Sequence, residues 1–137
     1  MTDIEIAKTN LIGHSICLCR NSEIITDDGR GISPMIKFLK EGRDLKGFSV
    51  ADIIVGKAAA LLFSKACIAR VYGKVMSKSA KCILEKNGIP CSFDTLTDNI
   101  INRTGTDICP MEQTVENIDS PDAAFAALCS RLEQLKG

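Results

Sequence analysis

Tryptophan is absent from this chain, and aromatic residues make up only 4% of it. The core must therefore be assembled from Ile, Leu, Val and Ala, and no aromatic platform is available on which nucleic-acid bases would stack. An excess of either charge is missing too: 17 basic residues balance 17 acidic ones. Without a basic surplus there is no electrostatic footprint for a phosphate backbone, so no nucleic-acid partner is expected. No apolar run reaches the roughly 20 residues that a membrane-spanning helix needs. The start, MTDIEIAKTNLIG, carries acids where a secretory leader needs positive charge. These absences predict a cytoplasmic protein with no membrane partner.

Metal-binding patterns are also scarce. The only histidine is His14, and the seven cysteines are odd in number and scattered without paired-ligand spacing. In a reducing cytosol such thiols are expected free and mostly buried, as small apolar groups. Cys17 and Cys19 fall on one side of a predicted strand, where core packing is the simpler account than a ligand pair. Neither a metal nor a cofactor is expected.

What is present describes a single domain over residues 1–137. Hydrophobic residues at 45% and charged ones at 25% give the balance of a globular chain that buries its own core without staples. Thr2 or Asp3 caps a first helix with Ile4, Ala7, Leu11 and Ile12 on one face. SICLCR and EIITDD read as a hairpin turning at Asn21-Ser22, with DDGRG as its exit. Ser33 caps a helix with Pro34 in its first turn and Gly42 at its end. SVADIIVGKAAALLFSKAC reads as one long buried helix capped by Ser49, because apolar side chains surround it. CIARVYGK follows as a strand, SKSAKCILEKNG as a helix, and IPCSFDTL as a strand entered at Pro90. ENI is expected as a last short strand, and SPDAAFAALCSRLEQL closes the chain as a helix capped by Ser120. Strands and helices alternating after an opening hairpin predict an α/β protein, a three-layer α/β/α sandwich with a mixed sheet.

The loop IINRTGTDICPMEQ concentrates chemistry. Asn102 and Arg103 would read an amide edge and an anionic group, and Gly105 would allow a tight turn. Pro110 would fix Cys109 in an extended conformation, and Glu112 would serve as acid or base three residues away. A thiol near a cation would be activated as a nucleophile or redox centre. The plain alternative is a polar turn with Pro110 opening a strand.

The stretches VADIIVGKAAALL, MSKSA and IINRTGTDICPME resemble the signature segments of a small uncharacterised bacterial family, a domain of unknown function whose members resemble cytidine deaminases in fold. The resemblance covers nearly the whole chain and implies a cytidine deaminase-like sandwich. Cytidine deaminases hold a catalytic zinc on the first turns of two neighbouring helices, through His-x-Glu or Cys-x-Glu and Pro-Cys-x-x-Cys. The comparable openings here, VGKAAA and MSKSAK, supply neither ligands nor the proton-shuttling Glu. Zinc-dependent deamination is therefore rejected.

What would stand in place of zinc is a ligand site. Lys57 lies among Gly56 and Ala58–Ala60, its stem otherwise simply packed on the core. Asp52 is either a partner for it or a helix-start acid favoured by the dipole. Ser77 and Ser79 open the next helix with free N–H groups that favour an anion, or act as plain caps. Three readings follow: a binding module holding a small anionic, nucleotide-like ligand with Asp52, Lys57, Ser77, Ser79, Asn102 and Arg103; an enzyme using Cys109 and Glu112; or a homodimer packed through AAFAALCSRLEQL.

Overall fold

The structure, a computed structural model, describes residues 1–101 and 109–136. The first helix, α1 (Asp3–Asn10), is capped by Thr2, whose hydroxyl accepts the Glu5 N–H at 3.3 Å. Ala7 and Leu11 are buried, whereas Ile12 lies 84% exposed beyond the helix end. Strands β1 (Ile16–Arg20) and β2 (Glu23–Asp27) form the antiparallel hairpin that the turn residues predict. Asn21 and Ser22 both adopt positive φ, 50° and 73°, as a two-residue type I′ connection requires. In α2 (Ser33–Lys40), Ser33 is the first helical residue rather than the cap. Its own N–H donates to the Arg30 carbonyl, and the Ile36 N–H that a Ser33 cap would have served donates to the Ile32 carbonyl instead.

The main correction falls on residues 49–67. They form not one helix but strand β3 (Ser49–Val55), Gly56, and helix α3 (Lys57–Lys65). Strand β3 lies inside the sheet, antiparallel to β1 and parallel to β4 (Arg70–Ser77). A strand covered on both faces carries apolar residues continuously, and no periodicity separates it from a buried helix. The β-branched Val50, Ile53, Ile54 and Val55 were the available signal.

Helix α4 (Lys78–Lys86) is capped by Ser77, whose Oγ accepts the Ala80 N–H at 3.1 Å. Strand β5 (Cys91–Thr97) pairs parallel to β4, as the strand–helix–strand order predicts. Pro110 opens a short helix, α5 (Pro110–Thr114), and ENI is a turn rather than a strand. The last helix, α6 (Pro121–Lys136), begins with Ser120 accepting the Ala123 N–H at 3.3 Å.

The result is a mixed five-stranded sheet, ordered β2-β1-β3-β4-β5, with helices on both faces. Alternation along the strands separates two cores. Ile16, Leu18, Val50 and Val71 join the larger one, with Leu61 and Phe63 of α3, Leu84 of α4 and Leu128 of α6. Cys17, Cys19, Ala51 and Tyr72 face the other way and form a small cluster under Ala7 of α1 and Leu11 just beyond it.

Candidate functional site

Strands β3 and β4 are parallel neighbours, and each runs almost directly into a helix. The starts of α3 and α4 therefore open at one edge of the sheet, beyond the strand C-termini, where α/β proteins place their ligands. Each start exposes N–H groups that need an acceptor. At α4 the chain meets the need with Ser77, whose hydroxyl also lies 3.2 Å from that of Ser79.

At α3 the acceptor comes from far along the sequence. The Glu112 carboxylate accepts the Lys57 N–H at 2.7 Å through Oε1 and the Ala58 N–H at 2.9 Å through Oε2. Gly56 makes this approach possible, because a Cβ there would run into the carboxylate. Burial pushes the Glu112 carboxyl upward, while the two N–H donors and the Lys57 charge pull it back. Glu112 is thus a built-in anion at a helix N-terminus.

Lys57 points elsewhere. Its ammonium meets Asp119 Oδ1 at 2.9 Å and donates to the Glu116 carbonyl at 3.1 Å. Together with Ser79 and Glu112 it borders a small cavity of about 190 Å³. Neither Asp119 nor Glu116 stood out in the sequence, since solvated acids are common and nothing in their spacing marks a lysine partner 59 or more residues away.

A second, larger cavity of about 770 Å³ lies on the other side of Glu112. It is lined by Asp52, Cys109 and Glu112 and by aliphatic side chains that include Ile54, Ile101 and Leu135. These last three are each half exposed, at 50%, 50% and 55%. Cys109 precedes α5 with φ −51° and ψ 133°, the extended conformation expected before Pro110.

Asp52 is neither a helix-start acid nor the partner of the Lys57 ammonium, which Asp119 and the Glu116 carbonyl hold; it is a strand residue, between Ile16 of β1 and Gly73 of β4. It is 8% exposed, and burial pushes its carboxyl up to about 8 against the weak opposing pull of the Ile54 and Ile53 N–H groups. The β2–α2 loop adds Arg30 at the rim, a residue in DDGRG that had been read only as the exit from the hairpin.

The structure thus brings Asp52, Cys109 and Glu112 to one cavity, and Lys57 and Ser79 to the adjoining one. Ser77 is 1% exposed and acts as a cap. Asn102 and Arg103 lie outside the described residues. Zinc does not fit the two helix starts: they present Gly56-Lys57-Ala58 and Ser77-Lys78-Ser79. Among the described residues no three His, Cys, Asp or Glu side chains gather to hold a metal ion.

The family model TM1506, described as a domain of unknown function (DUF1893), matches residues 6–132. The crystal structure of a DUF1893 family protein, TM1506 of Thermotoga maritima at 2.70 Å resolution, superposes with a TM-score of 0.85. That likeness spans 96% of this chain and 91% of the other at 24% identity, and it speaks to the fold alone. No curated protein matches the chain.

Proposed function

This chain belongs to the DUF1893 family, whose name states no activity, and from that premise we propose that it is a zinc-free, deaminase-like protein that binds a small nucleotide-like ligand in its large cavity. The deaminase-like part of the reading is supported by the two helix starts that open together beyond parallel strands β3 and β4. The observation that carries the binding part is the cavity itself, about 770 Å³ with an aliphatic wall and a few buried polar groups. A space of that size and lining is what a small organic ligand fills.

The heterocycle goes against the aliphatic wall, with Asp52 at its buried edge, and the anionic end meets Arg30 at the rim. The anion does not sit at α3, where Glu112 already holds the N–H groups. Thermal unfolding with a panel of nucleoside monophosphates at roughly millimolar concentration tests this. A ligand at about 100 times its Kd raises stability by about 2.7 kcal/mol, and Arg30→Glu is expected to weaken the effect. Absence of stabilisation by every member of the panel overturns the reading.

A second reading rests on Cys109 lining the same cavity as Glu112. There the thiol is a nucleophile or redox centre for a bound ligand. It requires Cys109 to alkylate faster at neutral pH than a cysteine in the denatured chain.

A further inference from the structure

Resting on the cavity as a ligand site, we propose that Asp52 meets the buried end of the ligand as a carboxylic acid, so that the cavity selects a neutral heterocycle edge in which an acceptor lies beside a donor, and rejects two-donor cations such as guanidinium groups. Asp52 lies on an interior strand and is 8% exposed, yet it lines the cavity. Its backbone donors are poor: the Ile54 N–H reaches Oδ1 only at 3.4 Å. None of the ion pairs found among the described residues includes it.

The charged and titratable groups that share the cavity do not change this. Arg30 and Asp28 come from the β2–α2 side, and Asp28 is held by His14 at 2.7 Å. Glu112 has its charge answered by two α3 N–H groups, with Lys57 on its far side bound to Asp119. Cys109 brings no positive charge. A carboxylate buried without a cation or strong donors is heavily disfavoured, and the group escapes that cost by keeping its proton.

A carboxylic acid carries one O–H donor and one carbonyl acceptor side by side. Its complement is a ring nitrogen or carbonyl next to an N–H, the amidine or lactam edge of a heterocycle. A carboxylate accepts only and would instead pair with the two parallel donors of a guanidinium. The two states of Asp52 therefore specify different ligands.

The test uses adenosine 5′-monophosphate, whose amidine edge is neutral throughout the range, and agmatine, a guanidinium cation. Binding is measured by calorimetry and thermal shift between about pH 7 and pH 9. With the Asp52 carboxyl up at about 8, affinity for the nucleotide is expected to fall about tenfold across that range, as the binding-competent fraction shrinks. Asp52→Asn, whose carboxamide also offers a donor beside an acceptor, is expected to bind with no such fall. Because Cys109 is intact in that variant, this control separates Asp52 from the thiol. Asp52→Leu is expected to lose binding, with circular dichroism confirming that it folds.

Nucleotide binding by the native chain that is flat with pH, or agmatine binding at pH 7 as tight as at pH 9, overturns the assignment of Asp52 while leaving the cavity as a site. Failure of the native chain to bind agmatine, adenosine 5′-monophosphate or any other member of the nucleoside monophosphate panel overturns both.

Discussion

The carboxylate of Glu112 occupies the space that a side chain at residue 56 would need. Gly56 has φ −99°, a conformation open to any residue, so the requirement for glycine there is one of room and not of backbone freedom. Gly56→Ala is therefore expected to push Glu112 off the α3 start and to destabilise the fold by about 1–3 kcal/mol, the usual range for overpacking. Glu112→Ala loses a charge-assisted cap and is expected to cost about 1.5–3 kcal/mol. Denaturant unfolding of the two variants and their combination checks the relationship. The double variant is expected to be less damaged than the sum of the two, and strict additivity would mean that the contact carries no coupling.

How much of this was legible in the chain can be judged at the same residues. Glu112 was marked as functional chemistry, and the structure places it at a cavity, but its partners are the N–H groups of Lys57 and Ala58, more than 50 positions away. Backbone N–H groups leave no sequence signature. Cap and turn residues were readable because their physics is local: Thr2, Ser77 and Ser120 cap as expected, and Asn21-Ser22 turns the hairpin. The merged reading of β3 and α3 failed because burial on all sides erases periodicity, and Asp52 was misplaced with it. The family resemblance stands on the match over residues 6–132.

Tyr72 provides a pH prediction with an unusually clean readout. It is the only tyrosine, and the chain has no tryptophan, so the near-ultraviolet phenolate signal belongs to it alone. Burial first, then the hydrogen bond from its hydroxyl to Asp94 at 2.6 Å and that acid's charge, push the phenol up to about 12. In denaturant it should titrate near the ordinary value of about 10. The raised value means that the fold favours the neutral phenol, so the stability it contributes is present below about pH 10 and is lost as pH rises through about 12. A spectrophotometric titration in native buffer and in denaturant checks the difference. Coincident curves would show that neither the burial of Tyr72 nor its Asp94 bond persists in solution.

Ser22 gives a stabilising prediction. It holds φ at 73°, where a residue with a Cβ is strained, while the type I′ turn favours Asn-Gly. Ser22→Gly is expected to stabilise the chain by about 0.5–1 kcal/mol, the relief of strain exceeding the added freedom of the unfolded chain. Thermal unfolding would reveal it, and a loss of stability would mean that the Ser22 conformation costs less than its φ suggests.

The small cluster beneath α1 is built from Ala7, Cys17, Cys19, Ala51 and other modest side chains around Tyr72. An eight-residue helix on so thin a footing is held by little buried area, and helices of that length have almost no stability of their own. Its detachment would be a local event, cheaper than global unfolding, and it would uncover Cys17 and Cys19 together. The rate at which an alkylating reagent labels this pair is then a clock for the lifting of one helix, read apart from Cys67 and Cys82, which are exposed in the folded chain and react without any opening.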